Sequence, residues 1–171
     1  LRAALASADQ LAPCVLWIDE IEKGVSTDAG EGDGGVSRRV LGYGFSEGLH
    51  TDVVETALRR AVAFRDPATG STAKVIFHAD RGCQYTSEQL AGVAEELDVR
   101  QSMGRTGVCW DNAQQESFWS TLKTEFYDRY TFATRAEAIK AVTTWITSVY
   151  NTQRRHSALG YISPLEFETQ Y

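Results

Sequence analysis

Two carboxylates, Asp80 and Glu116, have the residue type and spacing to do chemistry in this 171-residue chain. Asp80 comes just past the apolar run AKVIF (residues 73–77) and precedes Gly82, so it belongs in a turn at a strand end. Glu116 falls in the first turns of an expected helix, with 35 residues between the two acids. Acids brought together from a strand end and a nearby helix suit hard divalent cations. Mg²⁺ takes oxygen ligands, typically one or two carboxylates completed by water and substrate phosphate. Two such ions can activate a water or hydroxyl and stabilise the leaving oxygen of a phosphodiester. On spacing alone the plain alternative is a turn aspartate and a solvated helix glutamate.

The elements that must position these acids can be read from periodicity. CVLWI (14–18) reads as a short buried strand ending in acids, and RVLGYGF (39–45) as a second strand. Thr51 reads as a cap for a helix over 52–64. AKVIF is a strand, HADRGCQY (78–85) a polar turn, and Thr86, Ser87 and Glu88 open a helix to Leu97. A short strand follows at 99–102. Residues 112–127 form an amphipathic helix with Phe118, Leu122 and Phe126 on one stripe, and 134–150 another. Ile139, Val142, Trp145 and Val149 read as core rather than as a base-stacking platform. A last turn follows Pro164. Residues 1–11 read as a short helix, and 24–35 and 66–72 as loops. Strands alternate with helices from residue 37 onward, so the fold class is α/β. Acids at strand ends then face the crevice where such sheets bind ligands.

Composition is that of an ordinary globular domain, 43% hydrophobic and 23% charged, with a formal net charge of -6. No apolar run approaches the length of a membrane helix, and the opening LRAALASADQLAPC lacks a charged n-region and apolar core. Three widely spaced cysteines (Cys14, Cys83, Cys109) suit a reducing compartment and form no CxxC zinc pattern. The expected location is therefore the cytoplasm, with no membrane partner. The acidic balance argues against nucleic acid at first sight. Yet residues 1–36 alone carry a net -5, and the remaining 135 only -1. The glycine-rich GVSTDAGEGDGG (24–35) lies at that change of texture.

Three segments carry a family resemblance: HADRGCQYTS (78–87), SMGRTGVCWDNAQQESFWSTLKTE (102–125) and YNTQRRHSALGYISPLEF (150–167). Together they resemble the bacterial insertion-sequence transposases, whose catalytic core is like that of retroviral integrases. The resemblance runs from about Ser37 to Tyr171. It implies a ribonuclease H-like α/β fold and metal-dependent DNA cleavage and strand transfer. It makes Asp80 and Glu116 the second and third acids of a DDE triad that holds two Mg²⁺ or Mn²⁺ ions. His78, Asp111 and Asn112 become supporting residues, although Asp111–Asn112 also read as a helix-capping turn. Lys123, seven residues after Glu116, and the cluster Arg154, Arg155 and His156 become DNA-binding candidates, since arginine grips phosphate with a bidentate fork. The bland alternatives are an exposed helix lysine and a solvated tail loop. In the tail, the aromatics are expected to dock the chain and one arginine to face DNA or the active site. The implied partners are mobile-element ends and target DNA, with self-association on DNA and a bacterial, nucleoid-associated location.

The first acid departs from the family pattern. Its W-x-x-D segment would put the acid on an early strand, but Trp17-Ile18-Asp19-Glu20 has Asp19 one position early and Glu20 in its place. Residues 12–24 resemble instead the Walker B strand of an AAA-type ATPase, although no phosphate-binding G-x-x-x-x-G-K-[ST] exists in the chain. The expected organisation is an ATPase-like fragment over 1–36 joined to a transposase core over 37–171, incomplete in its N-terminal strands. An exposed sheet edge follows from that. Three functions compete: a DDE transposase in which Asp19 or Glu20 substitutes for the first acid, a non-catalytic remnant that binds DNA or a partner, and an ATPase fragment.

Overall fold

The computed structural model describes residues 16–17, 38–48, 50–65, 76–79, 81–104 and 113–170. Strand β1 (Leu16–Trp17) pairs antiparallel with β2 (Gly42–Tyr43). Helix α1 (Thr51–Arg65) follows, then β3 (Ile76–Ala79), α2 (Glu88–Glu96) and β4 (Arg100–Met103). β3 and β4 run parallel with α2 between them in sequence, a βαβ crossover. Helix α3 (Ala113–Leu122) continues into a π-helical turn at Lys123–Tyr127, and α4 (Arg135–Trp145) into another at Ile146–Tyr150. A 3₁₀ turn (Ser157–Leu159) and helix α5 (Pro164–Gln170) end the chain. The helix expected over 1–11 and the loops expected over 24–35 and 66–72 lie outside the described residues.

The mixture of a βαβ unit, a hairpin-like strand pair and packed helices is α/β. Two apolar clusters build it. The first gathers Val54, Ala57 and Leu58 of α1, Phe77 and Ala79 of β3, Leu90 and Val93 of α2, and Val99. The second gathers Phe118, Leu122, Phe126, Val142, Trp145, Ile146 and Tyr150 along α3 and α4. Each fully buried large side chain here contributes roughly 1.5–3 kcal/mol by leaving water. Trp145 and Val142 are therefore core, as their helical spacing indicates. Val40 joins the second cluster and Leu41 the first, so the segment before β2 stitches the two together.

The strand expected over 39–45 is shorter than its sequence suggests, and the reason lies in the backbone. Arg38, just before this run, has φ 55°, in the left-handed region, so extended backbone cannot carry on into it from the N-terminal side. At Val40, both the N–H and the C=O are taken by the Asn151 side chain rather than by a neighbouring strand (2.9 and 2.8 Å). The glycines of GYGF have a packing role. A Cβ at Gly42 would fall 2.7 Å from the Ala61 nitrogen, and one at Gly44 would fall 2.6 Å from the Val53 carbonyl oxygen. Only glycine lets β2 lie this close on α1. Tyr43 and Phe45, one residue out of phase, pack toward the second cluster.

Candidate active site

β3 and β4 end at the same level. Their parallel register pairs Phe77 with Gln101, His78 with Ser102 and Ala79 with Met103, and the Gly104 N–H donates to the Ala79 carbonyl at 2.8 Å. Asp80 is the next residue after Ala79 in the chain and lies outside the described residues. The turn beyond it is tied down at several points. Arg81 Nε donates to the Gly104 carbonyl at 3.1 Å, bridging the two strand ends. The Tyr85 N–H donates to the Gly82 carbonyl, and the buried Tyr85 ring lies 6.1 Å from that of Phe77. Ser87 caps α2 by accepting the Leu90 N–H, an N-cap its sequence position signals. Residues 81–87 are thus held between a parallel strand pair and a capped helix.

His78 stands directly opposite Ser102, its Nδ1 3.0 Å from the Ser102 Oγ. Its other ring nitrogen is buried, with no hydrogen-bond partner among the described residues. This link joins β3, the strand before Asp80, to β4.

Glu116 lies in the first turn of α3, exposed. Among the described residues its carboxylate has no ion-pair or hydrogen-bond partner. The helix is anchored two residues on by Phe118, fully buried with its ring 4.8 Å from Tyr150 and 6.3 Å from Trp145. Lys123, also exposed, opens the π-helical turn on the same helix. Asp19, Glu20, Asp111 and Asn112 lie outside the described residues. Among the described residues no group of three or more His, Cys, Asp or Glu side chains could hold a metal ion.

The tail cluster separates into unlike parts. Arg154 folds onto α3, its Nε 3.0 Å from both oxygens of Glu125 and its guanidinium 6.0 Å from the centre of the Tyr150 ring. His156 is buried, with its ring 5.0 Å from that of Tyr150 and an Arg154 nitrogen 3.2 Å from its Nδ1. Burial first, then the charges of Arg154 and Arg38, push His156 down to about 4. It is neutral at pH 7 and offers phosphate no charge. Burial pushes the neighbouring Tyr150 hydroxyl up to about 12. Of the three basic residues only Arg155 is exposed. Two further tail contacts were not legible in the sequence. Asn151 clamps Val40, and Glu168 of α5 pairs with both Arg39 and Arg65. Tyr161, expected to dock the tail, is 68% exposed. Its backbone, at φ 64°, turns it outward between the buried Leu159 and Ser163.

Residues 35–109 match one integrase core domain model, and residues 97–164 match a second. The chain is 39% identical over 132 residues to the uncharacterized 31 kDa protein of insertion element IS600 from Shigella sonnei, covering 77% of this chain and 47% of that protein. It is 37% identical over 132 residues to the transposase for insertion sequence element IS904 from Lactococcus lactis, covering 77% and 51%. This chain belongs to the insertion-sequence transposases with an integrase-type core. A third relative, transposase InsF for insertion sequence IS3fB from Escherichia coli, is 36% identical over 134 residues, covering 78% of this transposase core and 45% of InsF. The chain spans about half the length of the relatives it matches. In this transposase core no helix among the described residues is long and apolar enough to cross a membrane.

Proposed function

We propose that this chain is the catalytic part of a DNA transposase, cleaving and joining phosphodiester bonds with Asp80 and Glu116 as metal ligands. The observation that carries the reading is the placing of Glu116. An exposed carboxylate without a partner among the described residues sits on the first turn of a helix anchored by Phe118. Its hard oxygen donors suit Mg²⁺ or Mn²⁺, and so do those of Asp80, which follows the strand end directly. When bound, two such ions would activate the attacking hydroxyl or water and stabilise the leaving oxygen. The chain's own residues do the rest. Arg81 and the His78–Ser102 link hold the strand ends that set Asp80. Lys123 and Arg155 meet DNA phosphate, which positions the duplex without reading its sequence. Arg154 and His156 dock the tail. The DNA is a pair of mobile-element ends and a target, held by self-associated copies near the nucleoid. Asp19 or Glu20 supplies the first acid.

The reading is tested by incubating supercoiled plasmid carrying candidate element ends with the chain in Mg²⁺ and in Mn²⁺. Nicked and joined products are expected, and they should vanish in Asp80→Ala and in Glu116→Ala. Products that survive both substitutions would remove the assignment.

A second reading, a remnant that binds DNA without cutting it, has its own support. Among the described residues β3 pairs only with β4, while β1 pairs with β2 in a separate sheet. The strand that should carry the first acid beside β3 is not found among them. Residues 1–36 then form a distinct ATPase-like segment joined near the start of the integrase core match at residue 35. DNA binding with no cleavage in either metal would select this reading.

A further inference from the structure

We propose that Tyr161 is a stacking platform for an unpaired DNA base, with the exposed Arg155 of the same tail segment as its phosphate contact. The inference rests on the DNA reading above and adds a contact that reading does not contain. The loop is closed by an isolated antiparallel bridge between His156 and Ile162, with the Tyr161 N–H donating to the His156 carbonyl at 2.8 Å. Inside it, Gly160 and Tyr161 both adopt left-handed backbone, at φ 71° and 64°. Glycine does so freely, but for a bulky aromatic this conformation is strained. Such strain persists only where the surroundings impose it, and it concentrates at binding sites. Here the surroundings do impose it. Leu159 is anchored in the core on one side and Ser163 and Pro164 on the other, which leaves Tyr161 pointing out. The ring is 68% exposed and meets no other ring among the described residues.

The surroundings of the ring suit a base and a phosphate. Residues 151–165 contain Arg154 and Arg155 but no Asp or Glu, in a chain of net charge -6. Arg154 is spent on Glu125, whereas Arg155 is exposed and has no ion pair among the described residues. The loop's other exposed residues, Ser157, Ala158 and Gly160, are small, and a Cβ at Gly160 would meet open space. An exposed aromatic and an exposed arginine in a tail segment without acidic residues supply the stacking face and the positive charge with which proteins bind single-stranded DNA. A copy-to-copy contact would call instead for a contiguous apolar patch around the ring.

The test uses the full chain and two fluorescent probes, a duplex and the same duplex with a short unpaired 3′ end containing 2-aminopurine. Tyr161→Ala is expected to bind the frayed probe about tenfold more weakly and to lose the fluorescence quenching, with duplex affinity unchanged. Tyr161→Phe should keep both. Arg155→Ala should weaken both probes and lower the salt dependence by about one phosphate contact. Because the ring is exposed, Tyr161→Gly should melt no lower than the parent chain. If the parent binds DNA and Tyr161→Ala binds the frayed probe equally well, this inference fails and the DNA reading stands. If the parent binds neither probe, both fail. Loss of self-association in Tyr161→Ala with DNA affinity intact would overturn the inference in favour of a contact between copies.

Discussion

The two acids proposed to share metal belong to differently built halves of the molecule. Asp80 follows β3 in a half whose core is mostly aliphatic: Val54, Leu58, Leu90 and Val93 around Phe77. Glu116 stands on α3 in a half whose core is aromatic, with Phe118, Phe126, Trp145 and Tyr150 in edge-on and tilted contact. Few described contacts join the halves. Val40 and Leu41 reach one into each core, Asn151 grips the Val40 backbone, and Glu168 ties Arg39 to Arg65. Among the described residues, this strand lead-in and the tail residues that clamp it join the two cores, together with Tyr43 and Phe45, which pack on the aromatic one. The tail thus braces the two cores through Asn151 and Glu168, while Arg155 and Tyr161 stay exposed.

Substitutions separate these roles. The largest effect is expected in the aromatic half: Phe118→Ala should cost about 3–5 kcal/mol, by lost transfer energy and a cavity among large rings. Chemical denaturation would read this directly, and a cost under about 1 kcal/mol would contradict the anchoring of α3. Asn151→Ala comes next. It strands a buried N–H and C=O of Val40, at about 1–3 kcal/mol each. Unfolding of this variant, followed separately through the tryptophans of the aromatic half and through backbone signal, should split into two transitions. One sharp transition would mean the halves are joined by something other than the clamp.

A smaller effect follows from His156, whose depressed pKa makes the tail dock sensitive to acid. The unfolded chain takes up this proton near pH 6.5, whereas the folded chain resists until about pH 4. Stability from this residue is complete above pH 6.5 and is lost as pH falls toward 4. At about 1.4 kcal/mol per pH unit the full loss is about 3.5 kcal/mol. In His156→Asn, which keeps an acceptor for Arg154, melting temperature should vary less over that window. The smallest effect is at the surface. Arg135 and Glu47 form an exposed ion pair, and Arg135→Ala should change stability by no more than about 0.5 kcal/mol.

Much of this architecture was legible in local patterns. The Phe118, Leu122 and Phe126 stripe placed α3, Ser87 marked the start of α2, and the apolar run before His78 located β3. Each depends on periodicity or capping, which neighbours in sequence express. What was not legible depends on distant partners. The Asn151 clamp is a side chain standing in for a strand 111 residues away, and it left a shortened β2 where an unbroken strand was expected. The Arg154 fork onto Glu125 spans 29 residues, so its basic neighbours looked alike although only Arg155 faces solvent. Tyr161 misled for a similar reason. An aromatic between Leu159 and Ile162 reads as core until its backbone hand is known. For Asp80 and Glu116 the spacing names the candidates, and the motifs around them carry the resemblance that implies their chemistry.

Metal binding tests the central claim most directly. Mn²⁺ can be titrated into the chain while water-proton relaxation is followed, a readout that needs neither DNA nor turnover. Saturable enhancement is expected in the parent chain and in Glu125→Gln, whose carboxylate on the same helix serves Arg154. It should be lost in Asp80→Asn and in Glu116→Gln, because both acids hold the ion. Unchanged Mn²⁺ binding in those two variants would contradict a site shared between the aliphatic and aromatic halves.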